Sequence, residues 1–296
     1  MEELVGGQAV IEGVMLRKGR KIAIAVRKPD GKIVTKSFGF RFISDKLSFL
    51  KFPIFRGVVA FFEALIIGIK TLNWSASQQV EEDEKETMGW ALTATILISL
   101  LFAILLFVLL PYGLTYLLGL KETANPILFN FVDGIIKLII LIVYILAISL
   151  ISDVRRIFQY HGAEHKVVNC YEAKDSFDNV KKYGTIHLRC GTSFLLAVIF
   201  VGVIILSFIP VIIFYYYPTL KEAFWLERYG ILFLLRLLAL PIIAGISYEL
   251  LKFSARHQNR ATKIIAFPGL LVQRLTTKEP DEKQIEVALV ALKSLK

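Results

Sequence analysis

Residues 194–215, FLLAVIFVGVIILSFIPVIIFY, form an apolar run that contains no charged side chain. An α-helix needs about 20 predominantly apolar residues to cross the hydrocarbon core of a bilayer. Three more runs reach that length, residues 90–110, 131–151 and 231–251. The sequence therefore predicts a mainly α-helical membrane protein with four transmembrane helices.

The composition of the whole chain agrees with this prediction. Of its 296 residues, 55% are hydrophobic, and the mean hydropathy is +0.61, which is outside the range of ordinary soluble domains. The formal net charge is +10. In a membrane protein, excess Lys and Arg is more typical of cytoplasmic loops beside anionic lipid than of nucleic-acid binding. We therefore expect the lipid bilayer, and no nucleic acid, as a partner.

The positions of the basic residues predict the orientation of the chain. Fourteen Lys or Arg precede residue 90, seven lie between residues 155 and 189, and nine follow residue 251, whereas the two other loops hold one and two. Under the positive-inside rule the basic segments are cytoplasmic. This predicts a multi-pass protein of the cell (plasma) membrane with its N-terminus and C-terminus both in the cytoplasm.

The segments outside the four runs predict smaller elements. Residues 53–72 are apolar but carry Arg56, Glu63 and Lys70, and a central charge costs a membrane helix about 2.5–3.5 kcal/mol. We therefore expect an amphipathic helix that lies in the interface or packs against the bundle. The other predicted elements are a cytoplasmic β-element in residues 1–52 with a hairpin at 29–31, an acidic linker in 73–89, and a cytoplasmic segment in 252–296 with an amphipathic helix.

The sharpest chemical signal lies in the predicted cytoplasmic loop, residues 152–193. This loop holds both cysteines and three of the four histidines of the chain: His161, His165, His187, Cys170 and Cys190. The string YHGAEHK, residues 160–166, contains the pattern H-x-x-E-H. If the second span continues as a helix, the two imidazoles lie on one face, four residues apart, and can clamp one metal ion.

The same pattern predicts a role for Glu164. In the inverted zincins two such histidines bind zinc and the glutamate activates water, so Glu164 is the expected general base. Two ligands do not complete a site, and His187 and Cys190 are the natural candidates for a third. The alternatives for that position are Glu172, Asp175 and His257. Glu249, Cys170 and Glu12 are expected either as further alternative ligands or as groups that hydrogen-bond to the ligands. A His/Cys ligand set suits a divalent metal, zinc above all.

Three functions are compatible with these residues. The first is a metal-dependent hydrolase that acts on an unknown substrate at the cytoplasmic face. The second is a homo-oligomeric channel or transporter, because Asp133, Lys137, Arg236 and Glu249 are ionisable residues inside predicted spans. The third is a partner-binding scaffold with a structural or sensory metal. Alternatively, no metal binds, and the loop side chains cap helices, satisfy one another or bind lipid phosphates with Lys166 and Arg189.

Five strings in order along the chain resemble a known family. They are GGQAVIEGVM at residues 6–15, YHGAEHK at 160–166, RCGTSF at 189–194, ISYE at 246–249, and the stretch from PGL at 268–270 to LTTKEP at 275–280. Together they resemble the bacterial YqhQ-like membrane proteins. That family is a domain of unknown function whose members are often labelled predicted metal-dependent enzymes. Its pattern usually has Pro before Arg-Cys-Gly, where this chain has Leu188, so a rigid turn is missing beside His187.

Overall fold

The computed structural model describes residues 5–40, 47–80, 85–187, 189–256 and 260–295. Leu188, His257 and the acidic residues 81–84 of the predicted linker lie outside these ranges. The strands are β1 Val5–Val10, β2 Gly13–Lys18, β3 Lys21–Arg27 and β4 Ile33–Gly39. The helices are α1 Phe55–Ser77, α2 Lys85–Ile104, α3 Leu110–Leu117, α4 Pro126–Ile148, α5 Ser152–Glu172, α6 Gly191–Tyr216, α7 Trp225–Arg256, α8 Arg260–Thr276 and α9 Glu282–Lys293.

The predicted N-terminal β-element is a four-stranded antiparallel sheet in the order β1-β2-β3-β4. The turn between β3 and β4 is the predicted one, with Gly31 at a φ of 84° and the amide of Lys28 donating to Lys32. Between β1 and β2 only Ile11 and Glu12 intervene, and Glu12 adopts a φ of 50°. A two-residue hairpin connection of this kind needs left-handed backbone. Glu12 therefore belongs to a tight turn.

Both faces of the sheet are covered. Alternate residues of a strand point to opposite faces, and in β3 Ala23 and Ala25 pack against α5 and α9, while Ile22, Ile24 and Val26 pack on the side of α1. All five side chains are at most 1% exposed. The result is a three-layer assembly of α1, the sheet, and α5 with α9. We call it the sheet assembly.

The C-terminal layer of this assembly is the predicted amphipathic helix. Pro280 precedes α9, and Asp281 caps it by accepting a hydrogen bond from the backbone amide of Gln284, whose side chain in turn accepts from the amide of Asp281. This reciprocal pair is a capping box, which satisfies two amide groups at the start of a helix. The apolar stripe of α9, including Ile285, Ala288 and Leu292, is buried.

Within the described ranges, four helices are long and apolar enough to cross a membrane: Thr93–Leu117, Pro126–Ile148, Gly191–Tyr216 and Leu226–Ser254. The first combines the end of α2, a π-helical turn at Leu105–Leu109, and α3. The last three pack together; Gly134 of α4 leaves room for Val203 of α6, and Val201 packs near Ile243 of α7. The chain is thus mostly helical, with four apolar helices and a small N-terminal sheet.

Candidate metal centre

Helix α5 carries the H-x-x-E-H string. It does not continue α4 directly, because Ile151 is in extended conformation and a new helix begins at Ser152. Gly162 lies inside α5, where a Cβ atom would collide with the carbonyl oxygen of Lys278. The backbone of residues 277–280 crosses α5 at this point, and the amide of Lys278 donates to the carbonyl of Phe158 at 2.9 Å. Gly162 permits this close crossing rather than breaking the helix.

The two histidines of the string face each other, with ring centroids 4.4 Å apart. The Nδ1 atom of His161 lies 2.9 Å from the carbonyl oxygen of Thr276, and Nδ1 of His165 lies 2.5 Å from that of Thr185. A carbonyl oxygen only accepts hydrogen bonds, so each Nδ1 carries the proton. In the neutral form of each ring, Nε2 then carries the lone pair, which is the tautomer that a metal-binding histidine adopts.

Cys190 completes a group of three donor atoms. Its Sγ atom lies 3.1 Å from Nε2 of His161, and the ligand atoms of His161, His165 and Cys190 all lie within 4.8 Å of one another. Cys190 is also the N-cap residue of α6, so its side chain lies at the start of that helix. Donor atoms around one zinc ion lie about 3–4 Å apart, so a small adjustment closes this cluster on a metal. We call these three residues the His/Cys cluster.

Glu164 lies at the edge of the His/Cys cluster. Its side chain is 5% exposed, and its Oε2 atom is 3.4 Å from Nε2 of His165. The carboxylate is thus on the side of the imidazole that would face a metal. Burial raises the pKa of Glu164, although the nearby His161 and His187 counteract part of this effect. Burial also lowers the pKa of His165, which favours the neutral, metal-binding form.

His187 lies beside the cluster but has other partners. Its ring centroid is 5.7 Å from that of His165, and its Nε2 atom is 3.4 Å from Oε2 of Glu172, which also pairs with Arg189. Burial would raise the pKa of Glu172, but the hydrogen bond to His187 and the charge of Arg189 hold it below its usual value. The structure thus directs His187 toward Glu172 and brings Cys190 to the two other histidines.

The remaining predicted site residues make contacts elsewhere. Cys170 is buried in the core beside the sheet, its thiol donates toward the carbonyl of Ser176 at 3.4 Å, and burial raises its pKa. The Glu12 carboxylate accepts two hydrogen bonds from Arg156, at 2.7 and 2.5 Å. The Glu249 carboxylate accepts two from Arg56, both at 2.5 Å. Asp175 accepts one from the Tyr183 hydroxyl at 2.9 Å.

Several residues that position the cluster escape analysis of the sequence. Lys166 is buried and donates to the carbonyls of Lys181 and Tyr183, and Asn169 donates to those of Gly184 and Ile186. These bonds hold residues 181–187 against α5, and this places the Thr185 carbonyl beside His165. The side chain of Gln273 in α8 accepts a hydrogen bond from the backbone amide of His187 at 3.0 Å and donates one to its carbonyl at 2.8 Å. The LTTKEP string contains Thr276, but a backbone carbonyl leaves no signature in side-chain patterns.

The fold and the cluster define a class of protein: a mostly helical chain whose described residues include four apolar helices and a His/Cys group with the spacing that a metal ion would need. The family model described as "Protein of unknown function (DUF1385)" matches residues 52–296. The chain is 33% identical over 307 aligned positions to "Uncharacterized protein YqhQ" of Bacillus subtilis (strain 168), covering 98% of this chain and 91% of that protein. The chain therefore belongs to the DUF1385 family, which confirms the resemblance seen in the sequence. No solved structure matches it.

Proposed function

We propose that the chain is an integral protein of the plasma membrane, with four transmembrane helices and both termini in the cytoplasm. Four helices have the necessary length and hydropathy. The segments richest in Lys and Arg precede the first of these helices, join the second to the third, and follow the fourth, as the positive-inside rule requires of cytoplasmic segments. In this orientation the His/Cys cluster lies at the cytoplasmic face, where α6 begins.

We further propose that the His/Cys cluster binds a divalent metal, zinc in the first place. The observation that carries this proposal is the anchoring of both imidazoles through Nδ1 to the Thr276 and Thr185 carbonyls. With Nδ1 anchored in this way, the Nε2 atoms of both rings point to the side of α5 on which the Cys190 sulfur lies. Neutral imidazole and thiolate are the preferred ligands of zinc, and fixed Nδ1 partners are typical of histidines that hold a metal.

The reaction class that fits this arrangement best is metal-assisted hydrolysis. Three protein ligands leave one position of a tetrahedral site for water, as in catalytic rather than structural zinc sites. A metal bound there supplies Lewis acidity and lowers the pKa of water in that position. The Glu164 carboxylate, buried beside His165, is placed to accept the proton of this water as a general base. The substrate is an unknown compound that reaches the cytoplasmic face.

The first experiment measures bound metal in the purified protein by elemental mass spectrometry. We expect near-stoichiometric zinc in the wild type and in His187→Ala, and its loss in His161→Ala/His165→Ala. The His187 variant is the matched control, because it removes a neighbouring imidazole that faces Glu172. Absence of metal from the wild type after equilibration with zinc would refute the proposed centre.

The role of Glu164 is tested separately with Glu164→Gln. A general base can be replaced by the isosteric amide without loss of the metal, so we expect wild-type zinc content together with loss of turnover in a hydrolase screen. Loss of zinc from this variant would instead make Glu164 a ligand. Retained turnover would exclude the assigned role.

A structural metal is the second candidate. His165 and Cys190 are buried, the cluster connects α5 to the start of α6, and neither of the two described cavities, near Tyr171 and near Tyr217, is lined by cluster residues. Such a metal would stabilise the junction between the sheet assembly and the apolar helices. In that case removal of zinc lowers the unfolding temperature, while Glu164→Gln leaves it unchanged and no hydrolysis is found.

The channel or transporter hypothesis depends on charges inside the apolar helices. Arg236 pairs with Glu122, Lys137 pairs with Asp133 at 2.5 Å, and Glu249 pairs with Arg56. Paired charges are a sufficient structural reason for ionisable residues in a membrane helix. We therefore place this function behind the two metal-centred proposals, and ion or solute flux through reconstituted protein would reverse that order.

A further inference from the structure

Helix α1 has the reverse of the usual polarity of a helix in a soluble protein. Its buried stripe, at spacings of four residues, is mostly polar and contains Glu63, Ile67, Thr71 and Ser75. Its opposite side is apolar and exposed. We call this side, together with Phe52 just before the helix, the outer face. Its members are 42–65% exposed: Phe52, Phe62, Leu65, Ile66, Ile69 and Leu72.

The polar stripe is occupied by the sheet. Gln8 of β1 donates to the Thr71 hydroxyl at 2.9 Å, and the amide of Ile11 donates to the Ser75 hydroxyl at 3.2 Å. Glu63 is 4% exposed. Burial lowers the pKa of Arg17 in β2, and the charge of the Glu63 carboxylate offsets part of that effect. The sheet therefore covers one side of α1 and leaves the outer face to another partner.

The N-terminal end of α1 lies against the C-terminal half of an apolar helix. Gly57 packs directly on the backbone of Gly245, and Arg56 forms its two hydrogen bonds with Glu249. Both contacts fall inside the apolar helix Leu226–Ser254. At a rise of 1.5 Å per residue, Gly245 lies about 14 Å along the axis from Ser254. This end of α1 therefore begins well below the cytoplasmic end of that helix.

All three charges that argue against α1 as a membrane element are directed away from the outer face. Arg56 pairs with Glu249, Glu63 is buried against the sheet, and the ammonium group of Lys70 lies 4.7 Å from the ring centre of Phe38 in β4. A charge that pairs or reaches protein does not have to enter hydrocarbon. The outer face is thus free of charge over its whole length.

We propose that the outer face of α1 is embedded in the acyl chains of the cytoplasmic leaflet, with Phe52 at its deepest point, so that α1 carries the sheet assembly on the membrane. The proposal rests on the proposed membrane insertion of the four apolar helices. An apolar stripe of this size marks a surface that meets lipid or protein. Its continuity with the apolar surface of α7 favours lipid, because a helix lying on α7 at this depth meets the same solvent.

The test uses single cysteine variants labelled with the environment-sensitive fluorophore NBD and reconstituted into phosphatidylcholine vesicles with brominated acyl chains. Ile66→Cys and Phe52→Cys probe the outer face. Thr35→Cys, exposed on β4, is the aqueous control, and Ile98→Cys, 67% exposed on α2, is the control for a membrane helix. Labelled wild type gives the background, because Cys170 and Cys190 are both buried.

We expect the label at position 66 to be quenched at least about half as strongly as that at position 98, and the label at position 35 to stay near background. Bromines deeper in the acyl chain should quench position 52 more than position 66. Quenching at 98 but not at 66 would overturn the inference, and a disulfide-linked dimer of the unlabelled Ile66→Cys variant in the same vesicles would assign the face to a second copy. Absence of quenching at 98 would refute membrane insertion itself, and the inference with it.

Discussion

The sheet assembly and the four apolar helices use the same residue types in opposite ways. In the sheet, Leu16, Ile22 and Val26 are completely buried. By contrast, of the described residues none is buried in the apolar 18-residue window of Thr93–Leu117, and 33% are buried in that of Leu226–Ser254. Among the apolar helices it is instead charged side chains that are buried, such as Asp133 of α4 and Glu122 of the loop between α3 and α4. Two regions of one chain therefore bury opposite kinds of side chain, and α1 contacts both of them.

The largest effect is expected from breaking the charge pair between Arg236 of α7 and Glu122 of the loop before α4. Arg236→Leu leaves the Glu122 carboxylate buried without its guanidinium, which costs about 3–5 kcal/mol of unfolding free energy. The measurement is unfolding by SDS in mixed micelles. The double variant Arg236→Leu/Glu122→Leu should recover most of this loss, since no buried charge remains. An equally unstable double variant would show that the pair has another role.

A truncated leucine separates the two regions directly. Leu16→Ala removes a completely buried side chain from the sheet and should cost about 2–5 kcal/mol. Leu97→Ala changes a side chain that is 60% exposed on α2, and we expect a change within about 0.5 kcal/mol. Both are measured by thermal unfolding in the same detergent. If Leu97→Ala costs as much as Leu16→Ala, that face of α2 is covered by protein.

A methyl group at Gly162 tests the crossing of α5 by residues 277–280. Gly162→Ala should destabilise the chain by about 1–3 kcal/mol, because the added Cβ displaces the Lys278 backbone. Gly230→Ala is the matched control inside α7, where nothing lies within 4 Å of an added Cβ, and it should gain up to about 1 kcal/mol of helix propensity. Equal unfolding temperatures of the two variants would contradict the close crossing.

The smallest effect concerns the stability at acidic pH of the hydrogen bonds that Asp175 makes in the segment after α5. Asp175 accepts hydrogen bonds from Asn179 and Tyr183, which lower its pKa below the ordinary value of 3.8. A lowered folded-state pKa contributes stability above the unfolded pKa that is lost as pH falls through the folded one. Asp175→Asn should therefore show a shallower loss of unfolding temperature between about pH 5 and pH 3 than wild type, with Tyr183→Phe intermediate. Identical pH profiles would exclude this contribution.

Analysis of the sequence predicts the elements better than their partners. The apolar runs, the turn at Gly31 and the start of α9 just after Pro280 are local signals, and the structure has an element at each of these places. The H-x-x-E-H spacing places His161 and His165 together because four residues make about one helical turn. Cys190 is one of several third ligands that the sequence allows, and only the tertiary structure places its Sγ atom, rather than His187, against His161.

The amino-acid sequence by itself determined the four apolar helices, the sheet, the family and the histidine pair, because hydropathy, turn chemistry and helical spacing act between residues close in the chain. The tertiary structure alone decided which groups meet over long separations. Arg56 pairs with Glu249, and His161 hydrogen-bonds to the Thr276 carbonyl. The polar stripe of α1 packs on the sheet. The physical reason is that buried charges and hydrogen-bonding groups need partners wherever folding places them. The sequence shows which groups need a partner, but the partner is known only once the chain has folded.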